Sequence, residues 1–399
     1  MIKVIKANIL DHISIVFFVF LVLVILKLTT PELIPPDPNF YNIAWDHNRY
    51  IQMAKDPLNA LNGTIAEPYC YRILMPFLAY LLPFGLKINF QIITFFSLFL
   101  TGIILYKIFN IFFDKIISFT GIIFFYSFEW GAQLLLYDFW LIDSLAFLFI
   151  ILCFWAIIKS NYKIYIISLC LGVLTKEIVL FTIPVMLLSE FYKLKTKNPF
   201  QKEFLIKCIL LSAPGIIAFF LLRIFIVPDP CCKYDYIDQF QLIGIERLVY
   251  ISRHLSSIVI VTFSALGLIH FIFPLFITKS TFINWIKLYG IFIILIYYQF
   301  LIALNTQRLL VVAFFPIILL TLEGMKRWNE NTGIDQKYFL IVSISYFIFQ
   351  IILSTYFGNI YRLKHNYYLI FIVICIGIPY IFESFKDPQS KKDLFILLN

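Results

Sequence analysis

Five short polar stretches interrupt an otherwise apolar chain, and their residue types define what chemistry it could do. The segment Tyr41-Asn-Ile-Ala-Trp-Asp-His-Asn-Arg-Tyr-Ile-Gln-Met-Ala-Lys-Asp-Pro57 predicts a short amphipathic helix stopped by Pro57. Asp46 falls at or near its start, with Arg49 and Tyr50 one turn later. Asp46 has two readings: an N-cap accepting a backbone N–H, or a carboxylate presented as a general base. In Ala66-Glu-Pro-Tyr-Cys-Tyr-Arg-Ile-Leu-Met-Pro76, Arg72 heads an apolar segment among aromatic rings. A guanidinium there either pairs bidentately with phosphate oxygens or snorkels to a lipid headgroup.

The third stretch, Glu129-Trp-Gly-Ala-Gln-Leu-Leu-Leu-Tyr-Asp-Phe-Trp-Leu-Ile-Asp143, runs into an apolar helix that Asp143 begins. A carboxylate in that position is costly unless paired or wet, so Asp143 is a functional candidate, with Asp138 as the solvated alternative and capping as the plain reading of both. Leu174-Thr-Lys-Glu-Ile178 splits two apolar runs: Lys176 and Glu177 either stay wet in a turn or aim a cation into a cavity. Asn305-Thr-Gln-Arg-Leu309 gives Arg308 the same two readings. Carboxylates beside cations suit transfer of a group away from a phosphate. The carboxylate deprotonates the acceptor while Arg and Lys neutralise the leaving phosphate. There is no Walker A loop, dinucleotide fingerprint, HExxH or GxSxG in the sequence. A divalent metal near Asp46 and His47 has only two adjacent ligands to recommend it, so no metal site is assigned.

The elements that must position these residues are membrane helices. Of 399 residues, 61% are hydrophobic, 19% aromatic and only 14% charged, with a mean hydropathy of +0.90. That excludes an ordinary soluble enzyme and a disordered chain alike. The net charge of +9 reads as cytoplasmic Lys and Arg that fix orientation; no basic cluster with interleaved aromatics suggests nucleic acid. Apolar runs predict helices at about 13–28, 90–112, 116–130, 140–158, 163–175, 178–192, 204–227, 257–277, 283–303, 309–323, 338–356 and 367–382. The fold class expected is therefore all-α, one integral-membrane domain over 1–399 with about twelve transmembrane helices. The stretch 72–86, broken by Pro76, Pro83 and Gly85, is expected to be a short helix or an interfacial segment on the outer side.

With the N-terminus inside, the assigned cytoplasmic pieces hold 17 of the 32 Lys and Arg in 74 residues, against 11 in 119 outer residues. This places both termini, including the tail 383–399, in the cytoplasm, and the long loops 29–89 and 228–256 outside. All five polar stretches then fall on the outer face. Eight of the 17 prolines lie between Pro31 and Pro83, so the first outer loop is expected to be stiff enough to hold something in place. Cys153, Cys170, Cys208 and Cys375 lie in apolar runs and read as small hydrophobes. Cys70, Cys231 and Cys232 lie in polar loops, where a tether from Cys70 to either of the other two is one arrangement and free thiols the other.

The ordered set resembles the GT-C superfamily of polyprenyl-phosphate-sugar-dependent glycosyltransferases. Trp45-Asp-His-Asn-Arg-Tyr-Ile-Gln-Met-Ala54 looks like the Asp-bearing segment of that family's first outer loop, and Pro68-Tyr-Cys-Tyr-Arg-Ile-Leu-Met-Pro76 like the entry to its next membrane segment. Ile142-Asp-Ser-Leu-Ala146, Leu174-Thr-Lys-Glu177 and Gln307-Arg-Leu-Leu310 resemble its second acidic helix start, a later polar turn and a late Arg-containing helix. The resemblance covers the first half of the chain best. Asp46-His47 stands where some members carry an acidic pair or metal site, and the large soluble domain of oligosaccharyltransferases is missing, which argues against transfer to folded protein.

The resemblance implies an inverting transfer of a sugar from a polyprenyl phosphate to a lipid- or glycan-linked acceptor at the outer face of a bacterial inner membrane. It makes Asp46 the base and Asp143 an orienting or acceptor-binding carboxylate. Arg72, Lys176 and Arg308 become phosphate-side cations, and Arg49, Tyr50, Asp138 and Glu177 further substrate contacts. Membrane lipids and the lipid-linked sugar are the partners expected. A transporter or flippase of an anionic substrate, and an inactive membrane scaffold, are the rival readings; the first calls for charges near the midplane and pseudo-symmetric halves, which the sequence does not display.

Overall fold

The computed structural model describes residues 2–33, 46–193, 202–229, 246, 249, 255–267, 269–299 and 306–356. Every regular element among them is helical. Helix α1 spans Ile2–Thr29, α2 Asp46–Lys55, α3 Leu74–Leu81, α4 Leu86–Phe112 and α5 Lys115–Ser127. Then come α6 Asp143–Lys159, α7 Tyr162–Thr175, α8 Thr182–Lys193 and α9 Lys202–Phe225. The last four are α10 Leu255–Leu266, α11 Lys279–Tyr298, α12 Phe314–Thr332 and α13 Gln336–Tyr356.

Local chemistry sets several of these boundaries. Asp114 caps α5 by accepting from the Ile117 N–H at 3.0 Å, and Asn161 caps α7 by accepting from Ile164 at 3.2 Å. Ser160 closes α6 in the left-handed region, so that α7 turns straight back along α6. Helix α6 is apolar on all sides after its first residues, and most of it is buried between α4 and α7, with the stripe of Leu152, Trp155 and Ile158 partly open. Its Phe147 and Phe154 pack against Phe314 and Phe315 of α12.

Among the described residues, four helices are long and apolar enough to cross a membrane: Leu86–Phe112, Lys202–Phe225, Lys279–Tyr298 and Gln307–Thr332. A fifth is counted if Lys115–Ser127 and Glu129–Tyr137, bent by 52°, form one broken span. Ile13–Thr29, Tyr162–Thr175 and Gln336–Ile352 are shorter apolar helices. Three of the runs expected to span are interrupted in the backbone. The run 178–192 opens as a 3-10 turn over Glu177–Phe181 before α8 begins. The run 257–277 breaks at Gly267, whose φ of +76° suits glycine, into α10 and two single turns. The run 116–130 ends early, in a wider turn over Glu129–Gln133 with Gly131 in a non-helical conformation. The expected helix 367–382, the tail 383–399 and most of the loop 228–256 lie outside the described residues.

The segment 46–86 folds back onto the bundle. The helix expected over 72–86 is the shorter α3, and α2 ends at Lys55, before Pro57. Met53, Ile65, Cys70 and Tyr71 form a small apolar cluster with Val173 of α7 and Leu222 of α9. Three backbone hydrogen bonds (Gly63 to Val227, Val227 to Leu61, Asp229 to Ile65) tie the segment to the end of α9. Cys70, read from sequence as a loop residue, is a fully buried free thiol, whereas Cys231 and Cys232 lie outside the described residues.

Candidate functional site

Because α6 leaves from the point to which α7 returns, Asp143 at the first turn of α6 lies beside Lys176, which follows the last turn of α7. The Lys176 Nζ donates to Asp143 Oδ1 at 2.6 Å, and both groups are buried. Arg308, on the turn Thr306–Leu310 that leads into α12, enters from the other side: its Nε lies 3.8 Å from Asp143 Oδ2. The same guanidinium donates through Nη2 to Asp46 Oδ2. The other Asp46 oxygen accepts from the Tyr69 hydroxyl at 2.9 Å. Arg308 therefore bridges two carboxylates from separate elements.

A second pair adjoins the first. Arg72 grips Glu177 through two nitrogens, with Nε to Oε2 at 3.1 Å and Nη2 to Oε1, and its Nη1 donates to the Tyr50 hydroxyl at 3.1 Å. The Tyr50 and Tyr69 rings meet edge to face at 5.9 Å, and the Arg72 guanidinium lies 5.6 Å from the Tyr69 ring. On the next residue of α2, the His47 Nδ1 lies 3.4 Å from Asp138 Oδ2.

Sequence-designated residues Asp46, Tyr50, Arg72, Asp143, Lys176, Glu177 and Arg308 thus meet in one place, and Asp138 adjoins it through His47. Arg49 is half-buried and is not among the side chains these contacts join. Two plain readings are overturned. Lys176 is not a wet turn residue, since Asp143 at the head of α6 draws it inside. Arg72 does not snorkel, because Glu177 and Tyr50 satisfy it in the interior. Nor are the carboxylates of Asp46 and Asp143 spent on capping: their contacts are with side chains from other elements. Sequence reasoning missed Tyr69 as the second support of Asp46 and His47 as the partner of Asp138. Tyr69 stood beside Arg72 in a stretch already singled out, but nothing local linked it to a residue 23 positions earlier.

Three carboxylates (Asp46, Asp143, Glu177) and three cations (Arg72, Lys176, Arg308) alternate, so the cluster is neutral as it stands. Burial on this scale requires such pairing, because an isolated buried charge costs several kcal/mol, on the order of 3–5 when a partner is lost. Asp46 is the more open of the two Arg308-linked carboxylates, with 23% of its side chain exposed against 2% for Asp143. Burial pushes the Asp46 carboxyl up. The Arg308 charge and hydrogen bond, together with the Tyr69 hydroxyl, outweigh that and hold it below the ordinary aspartate value. Burial and the Asp46 charge push the Tyr69 hydroxyl up, so it keeps its proton and remains a donor.

Two buried atoms here have no hydrogen-bond partner among the described residues: Arg308 Nε and Asp138 Oδ1. They are an unmet donor and an unmet acceptor at the edge of an ionic cluster. Among the described residues no group of three or more His, Cys, Asp or Glu side chains is placed to hold a metal. The Asp46-His47 pair does not converge either, since His47 turns to Asp138 while both Asp46 oxygens are engaged elsewhere. Comparison with protein-family models, curated proteins and solved structures finds no match to this chain.

Proposed function

We propose that this chain is a membrane glycosyltransferase. In this reading it moves a sugar from a polyprenyl phosphate to a hydroxyl of a lipid- or glycan-linked acceptor at the outer face, with inversion. One observation carries the reading: carboxylates and cations from five separate segments converge on a single charge-balanced cluster in which Asp46, the more open of the two carboxylates that Arg308 joins, keeps 23% of its side chain exposed. The resemblance of the same segments to GT-C glycosyltransferases agrees with it.

The chemistry follows from the charge balance. A neutral cluster has no spare cation, so an arriving phosphate must take one from a carboxylate. Arg308 is the candidate, because its Nε has an unmet hydrogen bond and its Nη2 is held by the more open carboxylate. Once Arg308 turns to the phosphate, Asp46 loses the interaction that depresses its basicity and becomes a competent base. The acceptor hydroxyl gives its proton to Asp46 as its oxygen attacks the anomeric carbon. The bond from that carbon to the phosphate oxygen breaks, and its electron pair leaves with the polyprenyl phosphate, neutralised by Arg308 and Arg72. Asp143, locked beneath Lys176, positions Arg308 and does not exchange protons.

The test is reconstitution of the purified protein with a panel of radiolabelled polyprenyl-phosphate sugars. Label recovered on a lipid or glycan acceptor in the inverted configuration, with release of polyprenyl phosphate, supports the proposal. The rival, a transporter of an anionic lipid-linked substrate, draws on the interrupted helices at Gly131 and Gly267. Label that crosses the bilayer still joined to its donor would favour it instead.

A further inference from the structure

Away from this site, α1 and the start of α4 flank an apolar cavity of 240 Å³. Ile88, Ile92 and Phe95 of α4 line one side, and Leu136 and Phe139 the other, with Lys27 of α1 at its mouth. Lys27 occupies the last turn of α1 and Lys87 the first turn of α4, so both cations sit where apolar helices end, the depth at which lysines reach for lipid headgroups. A single carboxylate, Glu32, takes both lysines at 2.8 Å and accepts from Gln91 at 2.8 Å as well. The mouth therefore carries one net positive charge. Glu32 stays ionised, since the Lys27 and Lys87 hydrogen bonds hold it down at about 2. Ile88 and Phe96, both in the cavity lining, also present large apolar surface, as lipid-facing positions do.

We propose that this groove seats one acyl chain of an anionic phospholipid, with the singly charged phosphodiester held by Lys27 and Lys87. The apolar lining fits a hydrocarbon chain, and one net cation complements one phosphodiester charge. The catalytic cations play no part in it, for Arg72, Lys176 and Arg308 are bound elsewhere, so the occupant is a resident lipid and not the sugar donor. Its position gives it leverage: Thr94 at the groove donates to the Phe139 carbonyl at 3.0 Å, and Ser144, next to Asp143, donates to Thr94 at 3.3 Å. A chain in the groove braces the segment that carries Asp138 and Asp143.

Native mass spectrometry of the full-length protein, taken from nanodiscs of phosphatidylcholine with and without phosphatidylglycerol, tests the proposal. Preferential retention of phosphatidylglycerol is expected. Lys27→Gln with Lys87→Gln should weaken that retention roughly fivefold per lysine and leave phosphatidylcholine unaffected. Glu32→Gln adds one net positive charge and should strengthen it, a reading that survives if the double variant does not fold. Ile92→Trp, which fills the groove, should abolish retention of both lipids. Equal retention of the two lipids by the native protein would overturn the proposal. So would an indifferent Glu32→Gln variant, or displacement of phosphatidylglycerol by stoichiometric farnesyl phosphate, which would make the groove a donor seat. None of these outcomes depends on sugar transfer.

Discussion

Asp46 is held by one charged and one neutral donor, and the neutral one is the finer probe. Tyr69→Phe removes a hydroxyl that lowers the Asp46 pKa but leaves the Arg308 pair in place. Transfer should slow by roughly tenfold, the scale of one hydrogen bond to a charged group. Losing a donor that favours the ionised form raises the pKa, so the acidic limb of the pH–rate profile should move to higher pH. A slower enzyme with an unmoved limb would mean that Tyr69 is only a packing residue. The sign for stability follows the same logic: the depressed Asp46 contributes stability above the ordinary aspartate range and loses it as pH falls through its lowered value. Lys176 tests the buried half. Lys176→Met leaves Asp143 with Arg308 at 3.8 Å alone and should cost roughly 3–5 kcal/mol in thermal or denaturant unfolding. Adding Asp143→Leu should restore most of the loss, because the uncompensated charge goes with it.

At the scale of elements, helices were legible wherever an apolar run was long and its start carried a polar cap, as at α5 and α7. Their interruptions were not. Nothing in the run 257–277 marks Gly267 as more than a small residue, and only the backbone reveals its positive φ. For the site, the residue types were legible because charges inside apolar sequence are costly and conspicuous. Their pairings were not, because the partners lie 33, 105 and 262 positions apart, in Lys176–Asp143, Arg72–Glu177 and Arg308–Asp46. Tertiary geometry alone turns a list of scattered charges into an alternating cluster. One close approach fixes how α12 seats against the Phe273–Phe276 turn: Gly324 of α12 faces the Phe273 carbonyl so closely that an added Cβ would lie 2.0 Å from it. Backbone cannot retreat as a side-chain tip can, so Gly324→Ala should push α12 off the Phe273–Phe276 turn and destabilise the protein by about 1–3 kcal/mol. An Ala variant with native unfolding would contradict that packing.

For the whole molecule, the account joins a sidedness read from lysine placement to a site whose members meet at one end of the bundle. In a background without native cysteines, Asn62→Cys, exposed on the segment that carries the site, should react with a membrane-impermeant maleimide in intact cells. Asn331→Cys, exposed at the far end of α12, should react only after permeabilisation. The reverse pattern would invert the proposed orientation and remove the outer-leaflet donor with it. The central claim, that Asp46 is the base, is tested most directly by single-turnover sugar transfer with Asp46→Asn. The variant keeps the size of the side chain and an oxygen for Tyr69, while Arg308 retains Asp143. With protein matched for folded amount and donor binding, transfer should fall by roughly a hundred- to ten-thousand-fold. Transfer at the native rate would contradict the account, leaving Asp46 as a structural partner of Arg308.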